Sequence, residues 1–398
     1  MSLDHPRARP RQQDPLRGHD LPLLDGLRAV AALMVVGTHV AFQTGTVVSG
    51  PFGAMLARFD FGVALFFVLS GFLLVRPWLL ARPEGKARPS MRTYLLRRAA
   101  RILPAYWIVL VVALLTTARG VGVGAALANV GLLQVYTGQL LDGLTQTWSL
   151  CTEVAFYLAL PFVAIWLASH GRRHPRRAIV GLVLAAVMAW TWTALAAGGA
   201  LPGRASTWLP GHLDWFAVGI ALALLDVHVR RLPASRTAVV AGELGRHPWT
   251  LLALAAAVFW LAATPAGGPA TLAAVAPATA VFKEALYALA AAGVLAAAVL
   301  APQRSGGLAS LLGSRLALAL GRVSYGVFLW HLVVLAAVMH VLGLDVFTGG
   351  FWRVLVLTTA GSVAAASASW VLVERPLLAR VHRRPLVPTE RDVAPSPR

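Results

Sequence analysis

The sequence predicts an all-α polytopic bundle of about ten transmembrane helices with one re-entrant segment, and two observations carry that expectation. The first is composition. The 398-residue chain is 58% hydrophobic and 13% charged, whereas a water-soluble domain carries about 25% charged residues. The second is arrangement. Apolar runs of about twenty residues, enough helix to cross a bilayer, recur along the chain, and the loops between them alternate between basic and nearly uncharged. In hydrocarbon only a helix satisfies its own backbone within one segment.

The runs place ten spans near residues 24–44, 59–80, 100–118, 149–168, 178–197, 212–228, 249–264, 281–301, 317–342 and 354–373. The seventh looks short. Residues 121–137 are also apolar, but short, Gly-rich and interrupted by Asn129 and Gln134, so they are expected to be re-entrant or interfacial. The charges agree. Arg7, Arg9, Arg11 and Arg17 precede span one; Arg82, Lys86, Arg88, Arg92, Arg97 and Arg98 follow span two; Arg172, Arg173, Arg176 and Arg177 follow span four; Arg230, Arg231, Arg236 and Arg246 follow span six. Arg304 and Arg315 follow span eight, and Arg380, Arg383, Arg384 and Arg391 follow span ten. The alternate loops hold only Arg58, Arg119, Arg204, Arg353 and Lys283. Basic loops stay in the cytoplasm, which puts both termini inside; the high Ala and Arg content suggests a GC-rich bacterium, so the membrane is expected to be a bacterial plasma membrane. A crossing by 121–137 would turn every later basic cluster outward.

The net charge of +19 is thus a topology signal, and nucleic-acid binding is not expected. One cysteine, Cys151, excludes an internal disulfide and a multi-cysteine metal cluster, and the scattered histidines lack metal-ligand spacing. Cys151 has no neighbour in sequence that would activate a thiol and is expected to be a small buried side chain. The first twenty residues have no apolar core and read as a tail, not a cleaved signal. The chain divides into basic, disordered cytoplasmic tails at 1–20 and 377–398 around one transmembrane domain at 21–376, with no fixed-period repeat.

Ionisable residues inside a span are costly and therefore candidates for function. Arg28 and His39 in span one are eleven residues apart. On a helix that is three turns plus about 20°, so they share a face about 16 Å apart along the axis. Arg28 falls near the inner boundary and His39 in the outer half, where a neutral imidazole suits a general base for a hydroxyl and a carbonyl-bonded structural histidine is the alternative. Arg98 and Arg101, three apart, share a face at the start of span three. They are either topology anchors or a phosphate site, since guanidinium groups bind phosphate bidentately. Glu153, in Trp148-Ser149-Leu150-Cys151-Thr152-Glu153-Val154-Ala155-Phe156-Tyr157, lies in the outer half with His39. It is a partner for an imidazole or a sugar hydroxyl, or a helix-terminus carboxylate. Ser70-Gly71 in span two reads first as a close-packing pair. No G-x-S-x-G elbow marks a hydrolase serine. His331 in span nine lies mid-membrane and is structural or lines a substrate passage. Asp214 and Glu374 read as boundary residues with local ion pairs.

Together these residues resemble the acyltransferase-3 family of integral membrane O-acyltransferases. Arg28 with His39 is similar to its Arg/Lys-x(10)-His motif, Phe66–Leu73 to F-F-x-L-S-G-F-L, Arg98 and Arg101 to R-x-x-R, and Trp148–Tyr157 to W-S-L-x-x-E-x-x-F-Y. Ser324-Tyr325-Gly326-Val327-Phe328-Leu329-Trp330-His331 is similar to S-Y-x-x-Y-L-x-H, with Phe328 for the second Tyr, and Glu374-Arg375-Pro376 to E-R-P. Six motifs fall in order over residues 21 to 376. The resemblance implies acyl-CoA as donor, used as a co-substrate with no bound cofactor, and a hydroxyl acceptor on a glycan, glycolipid, peptidoglycan or macrolide. It implies His39 as the catalytic histidine, Glu153 at the active site, and Arg28, Arg98 and Arg101 in donor use. Ser70, Trp148, Tyr157, Ser324, Tyr325 and His331 are the candidate acceptor or pocket residues. Many glycan-modifying members carry a fused extracytoplasmic SGNH domain; this chain shows none, so it is expected to act alone or to hand acyl groups to a partner enzyme. A transporter or flippase is the rival class, which would call for paired broken helices in two halves. The topology reading is tested by reporter fusions. A fusion at Arg176 is expected to report the cytoplasm and one at Gly267 the exterior, and the reverse pair overturns the ten-span arrangement.

Overall fold

The computed structural model describes residues 21–48, 52–81, 89–171, 174–271 and 273–383. Among these residues every regular element is a helix, and nine helical stretches are long and apolar enough to cross a bilayer. In chain order the main helices are α1 Leu23–Gln43, α2 Phe61–Leu80, α3 Met91–Leu115, the short α4 Val123–Val130 and α5 Gln134–Thr137, α6 Trp148–Trp166, α7 Pro175–Ala197 and α8 Leu213–Arg231. There follow α9 Arg236–Arg246, α10 Pro248–Ala262, α11 Pro277–Leu300, α12 Arg315–Val341, α13 Phe351–Ser369 and α14 Arg375–Arg383. The tenth expected span is α10. At 15 residues it is about 22 Å long, short of the hydrocarbon thickness of about 30 Å, and it lies against α11.

The helix starts at the basic end of the bundle are set by polar caps. Ser90, Ser235 and Ser314 each accept a backbone N–H three residues on, at 3.1, 3.2 and 3.2 Å, as N-cap serines do. Ser90 therefore starts α3 nine residues before the expected span. Arg97, Arg98 and Arg101 lie within its first three turns rather than in a loop, because Leu, Arg and Ala are good helix formers.

Residues 121–137 do not cross. They fold as α4 and α5 beside the far ends of α3 and α6, and their two polar residues are what hold them there. Asn129 and Gln134 are fully buried. Tyr106 Oη donates to the Asn129 carbonyl at 2.7 Å, and Trp107 Nε1 to the Val130 carbonyl at 3.1 Å. Asn129 Nδ2 donates to the Gln139 carbonyl, and Gln134 Nε2 to Thr147 Oγ1 at 3.1 Å. The opposite face exposes Val123, Leu127 and Leu133, an apolar side suited to the membrane interface.

The core is formed by α1, α2, α3, α6, α8, α11 and α12, and α7 buries only Ala178 and Ala189. Glycines bring the core helices into backbone contact. A methyl group on Gly71 would stand 2.4 Å from the Phe216 carbonyl oxygen, and one on Gly219 2.0 Å from that of Val68. The Ser-Gly pair thus does permit close packing, of α2 on α8. Gly26 and Gly321 do the same for α1, meeting the carbonyls of Leu312 and Asp25 at 2.1 Å.

Two boundary expectations change. The tail expected from residue 377 is helical as far as Arg383, because Pro376 sits in the first turn of α14, where no N–H is needed. Residues 1–20 and 384–398 lie outside the described residues. Asp214 and Glu374 are not exposed boundary groups but are buried, each 2% exposed. Asp214 accepts from Trp190 Nε1 at 3.1 Å and from the Trp215 backbone N–H at 2.9 Å, and Glu374 ends a widened π-type turn, Trp370–Glu374.

The glycine contacts give a clean comparison. Gly219→Ala is expected to destabilise by about 1–3 kcal/mol, the range for overpacking, because a backbone carbonyl blocks the added methyl. Gly242→Ala, the same change in α9 with nothing within 4 Å of its methyl, is expected to be neutral or slightly stabilising. Unfolding midpoints of the two variants in detergent decide it; equal midpoints refute the packing argument.

Candidate active site

The shared face of α1 is realised as two polar centres, one at each end. At the far end His39 meets a second histidine. Its Nδ1 lies 2.8 Å from the Val35 carbonyl oxygen and 3.3 Å from Nε2 of His331, with ring centroids 4.9 Å apart. His331 on α12 is fully buried, and its Nδ1 lies 2.7 Å from the Phe328 carbonyl oxygen. The Phe328 ring packs between His331 and Phe66, with centroids 6.1 and 6.2 Å away. Thr38, next to His39, donates to the Ala57 carbonyl at 3.2 Å, and Gly37 lets the Phe59 ring approach α1. The helix just before His39 is therefore packed against the Ala57–Phe59 segment.

Glu153 belongs to a different contact group. Tyr157, one turn on in α6, donates its hydroxyl to Glu153 Oε1 at 2.5 Å, and the Ser70 hydroxyl on α2 donates to the same oxygen. Ser70 thus does more than pack. Gly71 brings α2 against α8 while Ser70, one residue earlier, turns to α6. Trp148, near the start of α6, stacks edgewise on Phe67 at 6.4 Å. The imidazole partner that Glu153 was a candidate to be is, in the structure, His331.

At the basic end Arg28, Arg98, Arg101 and Glu374 gather. Arg101 is within electrostatic range of the other three, and its guanidinium lies 6.0 Å from the centre of the Trp370 ring. Nε of Arg98 is buried with no hydrogen-bond partner. Three guanidinium groups thus share a cluster with the buried Glu374 carboxylate, and Tyr157, which holds Glu153, feels Arg98 as well. Tyr325 links the two regions. Its hydroxyl donates to the Ile102 carbonyl at 2.9 Å, and it feels the charges of Glu374, Glu153 and Arg101. Ser324 is fully buried and bonds back to Gly321 at 2.8 Å, inside its own helix. Cys151 is buried and unpaired.

Several polar residues escaped the sequence reading. Gln146 donates to the Leu329 carbonyl at 3.0 Å, tying the start of α6 to the His331 helix. His212 Nδ1 and Glu284 Oε1 form a buried pair at 2.8 Å, and Arg76 pairs with Asp226 at 2.8 Å, joining α2 to α8. The rule that singles out ionisable groups inside spans applies equally to Glu284, Asp226 and Arg76. Gln146, a neutral residue at a helix start, carries no such signal.

Comparison with known proteins now bears on this geometry. The Acyl_transf_3 family, described as an acyltransferase domain, matches residues 21–374. Nodulation protein 10 of Rhizobium leguminosarum bv. viciae is 26% identical over 385 residues, covering 89% of this chain and 92% of that protein. The putative peptidoglycan O-acetyltransferase YrhL of Bacillus subtilis is 27% identical over 384 residues, which is 90% of this chain but 55% of the longer Bacillus protein. Acyltransferase MdmB of Streptomyces mycarofaciens is 29% identical over 165 residues, 35% of this chain and 38% of that one. No solved structure matches.

The Glu153 group is testable without any substrate. Tyr157→Phe keeps the ring and removes one donor to the carboxylate. It is expected to lower stability by about 1.5–3 kcal/mol, the worth of a hydrogen bond to a charged group, seen as a lower unfolding midpoint in detergent. An unchanged midpoint means that Glu153 does not depend on this bond.

Proposed function

We propose that this chain, which belongs to the Acyl_transf_3 family and is an integral membrane O-acyltransferase, moves a short acyl group from acyl-CoA to a hydroxyl of a cell-envelope glycan or glycolipid. The observation that carries the proposal is the pair of polar centres on α1: an arginine cluster at one end and an imidazole pair at the other. The first suits a phosphorylated donor and the second suits proton removal from an acceptor. The similarity to a protein named as a putative peptidoglycan O-acetyltransferase supports acetyl as the group and an envelope glycan as the acceptor.

In this reading both termini are cytoplasmic in the plasma membrane, and acyl-CoA docks from that side. Arg28, Arg98 and Arg101 hold its phosphates by charge-assisted hydrogen bonds, while Glu374 keeps the arginines in place. The thioester enters between the helices toward His39. The acceptor hydroxyl gives its proton to His39 as its oxygen attacks the thioester carbon; the new C–O bond forms, the C–S bond breaks, and coenzyme A leaves as the thiol once it takes that proton. Glu153, held by Ser70 and Tyr157, accepts a hydrogen bond from a sugar hydroxyl.

His39→Ala and His39→Gln are expected to reduce transfer by about 10²–10⁴-fold, the worth of general-base assistance, at unchanged membrane abundance. Gln preserves size and hydrogen bonding but takes no proton at neutral pH, so it separates base from scaffold. The measurement is incorporation of label from acetyl-CoA into glycans and glycolipids in membrane vesicles containing the protein. Near-wild-type incorporation by His39→Gln rejects the base role.

A further inference from the structure

An imidazole is a base only through the nitrogen that carries no proton, and the hydrogen bond made by the other nitrogen decides which one that is. At His39 the Nδ1 lies 2.8 Å from the Val35 carbonyl oxygen. A carbonyl oxygen accepts and never donates, so Nδ1 bears the hydrogen and the lone pair of the neutral ring is on Nε2. The same argument applies to His331. Its Nδ1 donates to the Phe328 carbonyl at 2.7 Å, which leaves a lone pair on its Nε2. That lone pair faces the Nδ1–H of His39 at 3.3 Å, so the hydrogen is shared between the Val35 oxygen and the His331 nitrogen. The opposite assignment sets a nitrogen lone pair against a carbonyl oxygen on both rings.

We propose that His331 is the positioning residue of the acyl transfer: by accepting from Nδ1 of His39 it fixes the tautomer and the tilt of that ring, so that Nε2 is the atom that takes the acceptor proton. The proposal rests on the reading of His39 as the base. His331 suits the role because it is fully buried on a helix anchored to α1 by the Gly321 contact with Asp25. Its neighbour Leu329 is tied to Gln146 of the loop that starts α6. When His39 takes a proton on Nε2 it becomes an imidazolium, and its Nδ1–H is a stronger donor to a lone pair already in place. The proton then passes from Nε2 to the leaving sulfur, Nδ1 keeps its hydrogen throughout, and His331 stays neutral. A neutral imidazole thus fills the place that a carboxylate fills behind the histidine of a serine protease.

Two substitutions separate this role from a packing role, because Asn offers an amide near the position of Nδ1 and Gln offers one near the position of Nε2. His331→Asn keeps a donor for the Phe328 carbonyl but does not reach His39; His331→Gln reaches it with an acceptor oxygen. In the vesicle assay with labelled acetyl-CoA, His331→Asn is expected to lower kcat by about 10–100-fold, the effect seen for partners that orient a metal-bound imidazole, with KM for acetyl-CoA unchanged. His331→Gln is expected to recover most of that loss. Equal activity of the two variants, or a change confined to KM, overturns the proposal. His39→Gln is run alongside: if it remains active, the base reading itself falls, whatever the His331 variants do. If neither His331 variant folds, the wild-type protein decides. Solid-state nitrogen NMR of the full chain, histidine-labelled and reconstituted in lipid, with His39 assigned by difference against His39→Gln, is expected to show His39 protonated at Nδ1 and bare at Nε2. A proton on Nε2 of neutral His39 overturns the proposal.

Discussion

Inside a bilayer there is no water to satisfy a polar group, so a hydrogen-bonding side chain in a span gains most by finding a partner within the protein. The rest of this structure depends on that constraint. The histidines bond to carbonyls of their own helices and to each other; Glu153 draws Ser70 and Tyr157; Arg76 takes Asp226. The bonds of His39 with His331, Ser70 with Glu153 and Arg76 with Asp226 each join two helices, so polar residues that would weaken a membrane helix singly become the bolts of the bundle. The segment at 121–137 follows the same logic, since Asn129 and Gln134 bind backbone and hydroxyl groups at the ends of α3 and α6 instead of facing lipid.

Such bonds form only if the backbones come close, and apolar burial does not drive helices together when the surroundings are equally apolar. Small residues supply the approach. Gly71 and Gly219 let α2 and α8 touch, and Gly26 and Gly321 bring α1 against the start of α12. The second of these contacts has a functional consequence. It sets the helix carrying Arg28 and His39 beside the helix carrying Tyr325 and His331, so one packing decision aligns both polar centres.

The separation of those centres suits the proposed transfer from a phosphorylated donor to an envelope acceptor. Positive charge gathered at one end can hold an anion at the membrane surface, where an arginine remains partly hydrated. A pair of imidazoles at the other end is shielded by Phe328 and Phe66, so their few hydrogen bonds act in a low-dielectric setting and orient strongly. The spacing of eleven residues sets the two centres about 16 Å apart along one helix, about half the hydrocarbon thickness.

The sequence by itself determined the class, the spans and the basic alternation, because hydrophobic length and loop charge are local properties that no folding partner alters. It also determined which residues are costly in lipid, and so Arg28, His39, Arg98, Arg101 and Glu153 stood out before any contact was known. Helix edges were less legible: the start of α3 at Ser90 depends on a cap, and the run past Pro376 depends on a first-turn proline. The pairing of those residues was decided only by tertiary structure. His39 and Glu153 share a depth in the sequence reading, yet one meets His331 and the other meets Ser70 and Tyr157. Depth follows from position along a helix, whereas partnership follows from how each helix is rotated about its axis. Close approaches of glycines to backbone carbonyls of distant residues set that rotation, and no spacing within a single helix records it.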